Sequence, residues 1–150
     1  MESIAKKCRA ENKAVQRVKE ALRVTLNWKA PSVGMPRKLE SVLFIVRALK
    51  RHLERMLALE EDGGYLADVV AEERPDLRDQ ADRLLGDHEE FRKALDTLVP
   101  LVERLRPADE ARFNALCNEI GLLLERIGVH DQKEADLLLE ALWQDEGGEG

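Results

Sequence analysis

The three histidines of the chain, His52, His88 and His130, all fall on apolar seams of helical period. His52 follows Val42, Ile45 and Leu49 and precedes Met56 and Leu59; His88 lies between Leu77, Ala81, Leu84 and Phe91, Leu95, Leu98. His130 continues Phe113, Leu116, Ile120, Leu123 and Ile127, and Glu134 stands one helical turn later on the same face, ahead of Leu137 and Ala141. Three imidazoles and a carboxylate turned into an apolar interior are costly unless hydrogen-bonded or coordinated to a metal ion. Histidine suits zinc, copper and iron, and two histidines with one carboxylate make an iron set that keeps coordination positions open. The competing reading is a group of hydrogen-bonded core histidines, with Glu134 paired to one of them or to Arg92. The residues alone leave both open.

The elements that carry these seams follow from composition and punctuation. The chain has 150 residues, 44% apolar, of which 24 are Leu, with only 4% aromatic. That balance favours amphipathic helices over sheet and fits one domain spanning residues 1–150. Breaks at 30–36, at Glu61-Asp-Gly-Gly64, at Glu73-Arg-Pro75 and at Arg106-Pro-Ala108 divide it. The spacing predicts helices over about 3–29, 37–61, 75–105 and 108–143, a short helical piece near 65–73, and a frayed tail over 145–150. Pro100 should kink or end the third helix. Short connections make successive helices antiparallel neighbours, so the expected architecture is an all-α, up-down-up-down four-helix bundle.

Depth within such a bundle can be counted, because residues level with one another in a hairpin are equidistant from its turn. His88 and His130 centre on 109, beside Pro107; His52 and His88 centre on 70; Asn12 and His52 centre on 32. The count predicts one layer holding Asn12 and the three histidines, with Met56, Leu84 and Glu134 one step along.

The segments Lys50-Arg51-His52-Leu53-Glu54, Asp87-His88-Glu89-Glu90-Phe91 and His130-Asp-Gln-Lys-Glu134 resemble, in order and spacing, the helices of the hemerythrin-like (HHE cation-binding) family. The resemblance runs from Glu11 to about Trp143 and implies a four-helix bundle with a non-haem di-iron centre. Carried over by residue, it implies His52, His88, His130 and Glu134 as metal ligands. Asn12, Met56 and Leu84 (or Arg92) stand where the family offers three further ligands, so the resemblance implies an incomplete set. It leaves one position with His88, His130 and Glu134, for one iron or zinc ion or for none. The implied functions are binding or sensing of oxygen, nitric oxide or redox state through a small diatomic ligand; the alternative is a metal-free bundle working as a protein-interaction or structural module. An oxidase-type enzyme is the weakest of the three readings.

The remaining features set bounds. Residues 1–55 carry 14 Lys and Arg against 5 Asp and Glu, and residues 56–150 carry 10 against 25. The basic half is expected to lie against the acidic half; overall acidity and the lack of an aromatic platform argue against nucleic acid. No apolar run reaches the roughly 20 residues of a membrane span, and the first residues lack the apolar stretch of a secretion signal, so a cytoplasmic protein is expected. Cys8 and Cys117 read as inert packing. The acids Glu60-Glu61-Asp62 and Glu72-Glu73 read as solvated helix ends without a role in chemistry. Gly86, Gly121 and Gly128, inside helices, are expected to permit close helix approach.

Overall fold

The computed structural model describes residues 4–27, 34–62 and 74–147. Helices α1 (Ile4–Leu26), α2 (Met35–Asp62), α3 (Arg78–Glu103) and α4 (Glu110–Gly147) follow one another, with a 3-10 turn at Pro75–Leu77 leading into α3. The expected short helix near 65–73 lies outside the described residues. Four helices and no strand among the described residues make an all-α four-helix bundle, as the seams require. None of these helices is long and apolar enough to cross a membrane.

The ends have local causes. Pro75 opens the 3-10 turn, where its missing N–H costs nothing, and the N–H of Leu77 donates to the carbonyl of Arg74. Asp109 precedes α4: its carbonyl accepts the Phe113 N–H, and its carboxylate accepts the Arg106 N–H across the tight turn. Pro100 sits inside α3 rather than ending it, because only one further turn follows and the chain closes that turn with Arg104 N–H donating to the Pro100 carbonyl. α4 runs on to Gly147, beyond the expected fraying point at Asp145; Leu137 and Ala141 hold its far half against Leu77, Ala81 and Leu84.

The main core joins Val15 and Leu22 of α1, Val42 to Leu57 of α2, Phe91 to Val102 of α3 and Phe113 to Ile127 of α4. On α2 the buried line is Val42, Val46, Leu49, Leu53, Met56 and Leu57, while Ile45, His52 and Leu59 flank it half-buried. Basic and acidic halves do meet: Arg47 pairs with Glu103, Lys50 with Asp96, and the buried Lys19 of α1 with Asp131 of α4. The helical glycines do not mediate close approach, since a Cβ built on Gly86, Gly121 or Gly128 meets nothing within 4 Å.

Candidate metal centre

His88 and His130 come together at the centre of the bundle, fully or nearly fully buried, with ring centroids 5.1 Å apart and the edge of one ring toward the other. Phe91, one turn from His88, packs at 5.2 Å across the His130 ring and fixes its plane. α3 and α4 position these residues because both seams step by three and four through the imidazoles.

Each ring presents its two nitrogens to different carboxylates. His130 Nδ1 lies 2.9 Å from Asp87, and His88 Nδ1 lies 3.2 Å from Glu61. A carboxylate accepts, so each Nδ1–H donates, and in the neutral ring the lone pair is then on Nε2. Those two Nε2 atoms are buried without a hydrogen-bond partner. Each has a carboxylate oxygen beside it that is close but not aligned for a hydrogen bond: Glu60 at 3.3 Å from His88 Nε2, and Glu134 at 3.3 Å from His130 Nε2. One ligand atom each from His88, His130 and Glu134 fall within 4.8 Å of one another.

The electrostatics record the crowding of acids. Burial pushes the Glu60 carboxyl above its usual range, aided by the Glu134 charge and opposed by His88. Burial likewise raises Asp131, against the pull of Lys19. For His130, burial disfavours the cation, but Glu134 and Asp87 outweigh it and raise the imidazole above its ordinary value. Arg92, gripping Glu61, holds that carboxyl below its ordinary value.

His88, His130 and Glu134 thus converge as expected, and His52 does not join them. Its Nδ1 meets Glu11 of α1 at 3.1 Å, with both side chains partly exposed, and Asn12 faces solvent. The residue of α2 level with His88 is Glu60, eight residues or about 12 Å further along the helix. The depth count failed here because Glu60 and His88 centre on residue 74, at the Pro75 boundary, and not on the middle of the connection. The reading of Glu60 as a solvated helix end is corrected by the same contact, whereas Glu61 is exposed at the end of α2 and yet pairs with His88 and Arg92. The signal was present in the sequence: Val42, Val46, Leu49, Leu53 and Met56 step on to Glu60. Arg92 pairs with Glu61 and Glu89, leaving Glu134 to His130. Asp87 was also missed, although it and His130 share the turn-centred register that brings His88 to His130.

The family model for the hemerythrin HHE cation binding domain matches residues 3–142. The chain belongs to this hemerythrin family. No curated protein and no solved structure matches it. Within the hemerythrin bundle of this chain, the donor chemistry fits a metal cation: two imidazole nitrogens without hydrogen-bond partners converge with the Glu134 carboxylate, Glu60 lies beside His88, and both rings are oriented from behind by acids. Carboxylate–histidine pairs of that kind fix the tautomer and raise the basicity of a metal-bound imidazole. Cys117, half-buried on α4, has its thiol pushed up by burial and is poorly suited to thiolate chemistry. The side chain of Cys8 lies outside the described residues.

Proposed function

We propose that this hemerythrin-family bundle holds one transition-metal ion, iron or zinc, through His88, His130 and Glu134, with Glu60, 3.3 Å from His88 Nε2, as the carboxylate that would turn in as a fourth donor. The observation that carries the reading is the pair of buried Nε2 atoms without hydrogen-bond partners. In the neutral tautomer that Asp87 and Glu61 select, each is a desolvated acceptor left unsatisfied without a metal, at a cost of about 1–3 kcal/mol. His52, paired with Glu11 about two turns away, is not assigned to the ion.

With iron bound, the ion would supply open coordination positions for a small ligand; oxygen, nitric oxide and redox state are the signals this reading favours. The protein's own contribution is to orient the two rings through Asp87 and Glu61 and to shield the His130 ring with Phe91. A groove of about 320 Å³ between α3 and α4, lined by Asp87, Phe91, Val129, His130 and Lys133, reaches the His130 ring from its Asp87 side.

The test is metal content of protein purified without chelator, and after loading with ferrous iron or zinc, for the wild type and for His130→Ala and Glu134→Ala. One ion per chain in the wild type, lost in both variants, supports the reading; nitric oxide added to the ferrous protein should then change its absorption spectrum. No metal in the loaded wild type overturns it and leaves the bundle as an interaction module.

A further inference from the structure

We infer that Arg92 is a positioning residue that clamps Glu61 against His88 and thereby fixes which nitrogen of His88 carries the proton. Arg92 lies one turn after His88 on α3 and grips Glu61 at two points, Nη2 to Oε1 at 2.6 Å and Nη1 to Oε2 at 2.9 Å. The same Oε2 accepts the His88 Nδ1–H at 3.2 Å. A third contact, Nη1 to Glu89 at 2.8 Å, holds the guanidinium from its own helix.

Glu61 needs such a hold. It sits in the last turn of α2, which ends in Glu60, Glu61 and Asp62 and contains no basic residue. The C-terminus of a helix carries partial negative charge, so these acids are unfavourably placed and a free Glu61 gains by turning to solvent. A planar guanidinium that engages both carboxylate oxygens removes that freedom in a way a point charge does not. With Glu61 fixed, the His88 proton is kept on Nδ1 and Nε2 is kept as a lone pair facing the centre. Among the described residues His130 has no counterpart of Arg92: its acceptor, Asp87, is held in mid-helix on α3. The consequence for metal affinity rests on the metal-binding reading above; the consequence for the tautomer does not.

The experiment uses the full chain labelled with 15N-histidine, compared as wild type, Arg92→Gln and Arg92→Lys. Long-range 1H–15N spectra of the metal-free protein report the protonated nitrogen of His88, whose signals are assigned by their loss in His88→Gln. The wild type should show a single Nδ1–H form. Arg92→Gln should show a mixture, with zinc affinity about 10–100-fold lower, the effect typical of losing an outer partner of a metal-bound histidine. Arg92→Lys, keeping the charge without the two-point grip, should fall between and serves if the glutamine variant does not fold. A His88 nitrogen pattern unchanged in both variants overturns the inference, even if zinc binding falls. A shifted pattern in a chain that binds no metal upholds the clamp and sinks the metal-binding reading instead.

Discussion

Replacing Glu60 by glutamine should make the metal-free protein more stable and the metal-bound protein less so. The Glu60 side chain is 16% exposed, lies 3.3 Å from an unpartnered His88 Nε2, and meets no Lys or Arg among the described residues. Without metal it is a desolvated carboxylate facing an acceptor. Glutamine has the same length, carries no charge, and can turn its amide N–H onto Nε2, satisfying an atom whose isolation costs about 1–3 kcal/mol. Taking about 1–2 kcal/mol as the net gain, Tm in the presence of chelator should rise by roughly 2–8 °C for a domain of this size. Zinc at about 1,000 times the wild-type Kd stabilises the wild type by ~4.1 kcal/mol; if the neutral amide weakens binding about a hundredfold, the variant gains only ~1.4 kcal/mol. The order of the two melting temperatures therefore inverts on adding zinc. Thermal unfolding by circular dichroism with chelator and with zinc reads both halves. A Glu60→Gln chain that melts below the wild type in chelator would refute the argument, because the carboxylate would then be part of a satisfied core.

The same centre sets the response to pH. His130 is raised above its ordinary value, so its stabilising contribution is complete below about pH 6.5 and is lost as pH rises through the raised value. Glu60 and Asp131, pushed up by burial, bind protons more readily folded than unfolded, so they too weaken the metal-free fold as pH climbs past the ordinary carboxyl range. All three have one sign: the metal-free chain should melt higher near pH 5.5–6 than at 7.5, whereas metal affinity should fall on acidification because protons compete for the imidazole. Melting curves across that range, with and without zinc, check it, and a metal-free chain most stable at pH 7.5 contradicts it. Gly86→Ala, Gly121→Ala and Gly128→Ala should each stabilise by about 0.5–1 kcal/mol in urea unfolding, since the added methyl meets open space and alanine is the better helix former. Lys19→Met should cost about 1–3 kcal/mol by leaving Asp131 without its cation, and adding Asp131→Asn should recover part of the loss.

The fold was legible because the chain punctuates its helices with Pro and Gly and keeps its apolar residues on one face of each. The levels of α3 and α4 were legible as well: their connection is short, and the count about residue 109 brings His88 to His130 within ring contact. It failed between α2 and α3, where twelve residues separate Asp62 from Pro75 and nothing in the sequence marks the point about which the two helices are level. That single uncertainty moved the site by two turns along α2, exchanging Glu60 for His52. It also hid the role of Arg92, whose value depends on Glu61 being opposite it. Seam membership was the better guide than residue type, since Glu60 continues the buried line through Leu53 and Met56 while His52 flanks it.

Under the proposed metal-binding reading, metal identity decides which function the centre can perform. The two imidazole nitrogens and Glu134 provide three converging donors; Glu60, turned in from beside His88, would bring the set to four donors and two negative charges, which one divalent cation neutralises. Zinc is satisfied by four such ligands in a tetrahedral site and would make the centre a closed staple between α2, α3 and α4. Iron accepts more ligands than these four residues offer, so the same side chains would leave coordination positions open for a diatomic molecule. A sensing role therefore requires iron to be the ion retained by the protein. A chain that takes up zinc and iron equally but changes its spectrum with nitric oxide only in the ferrous form would separate the staple from the sensor.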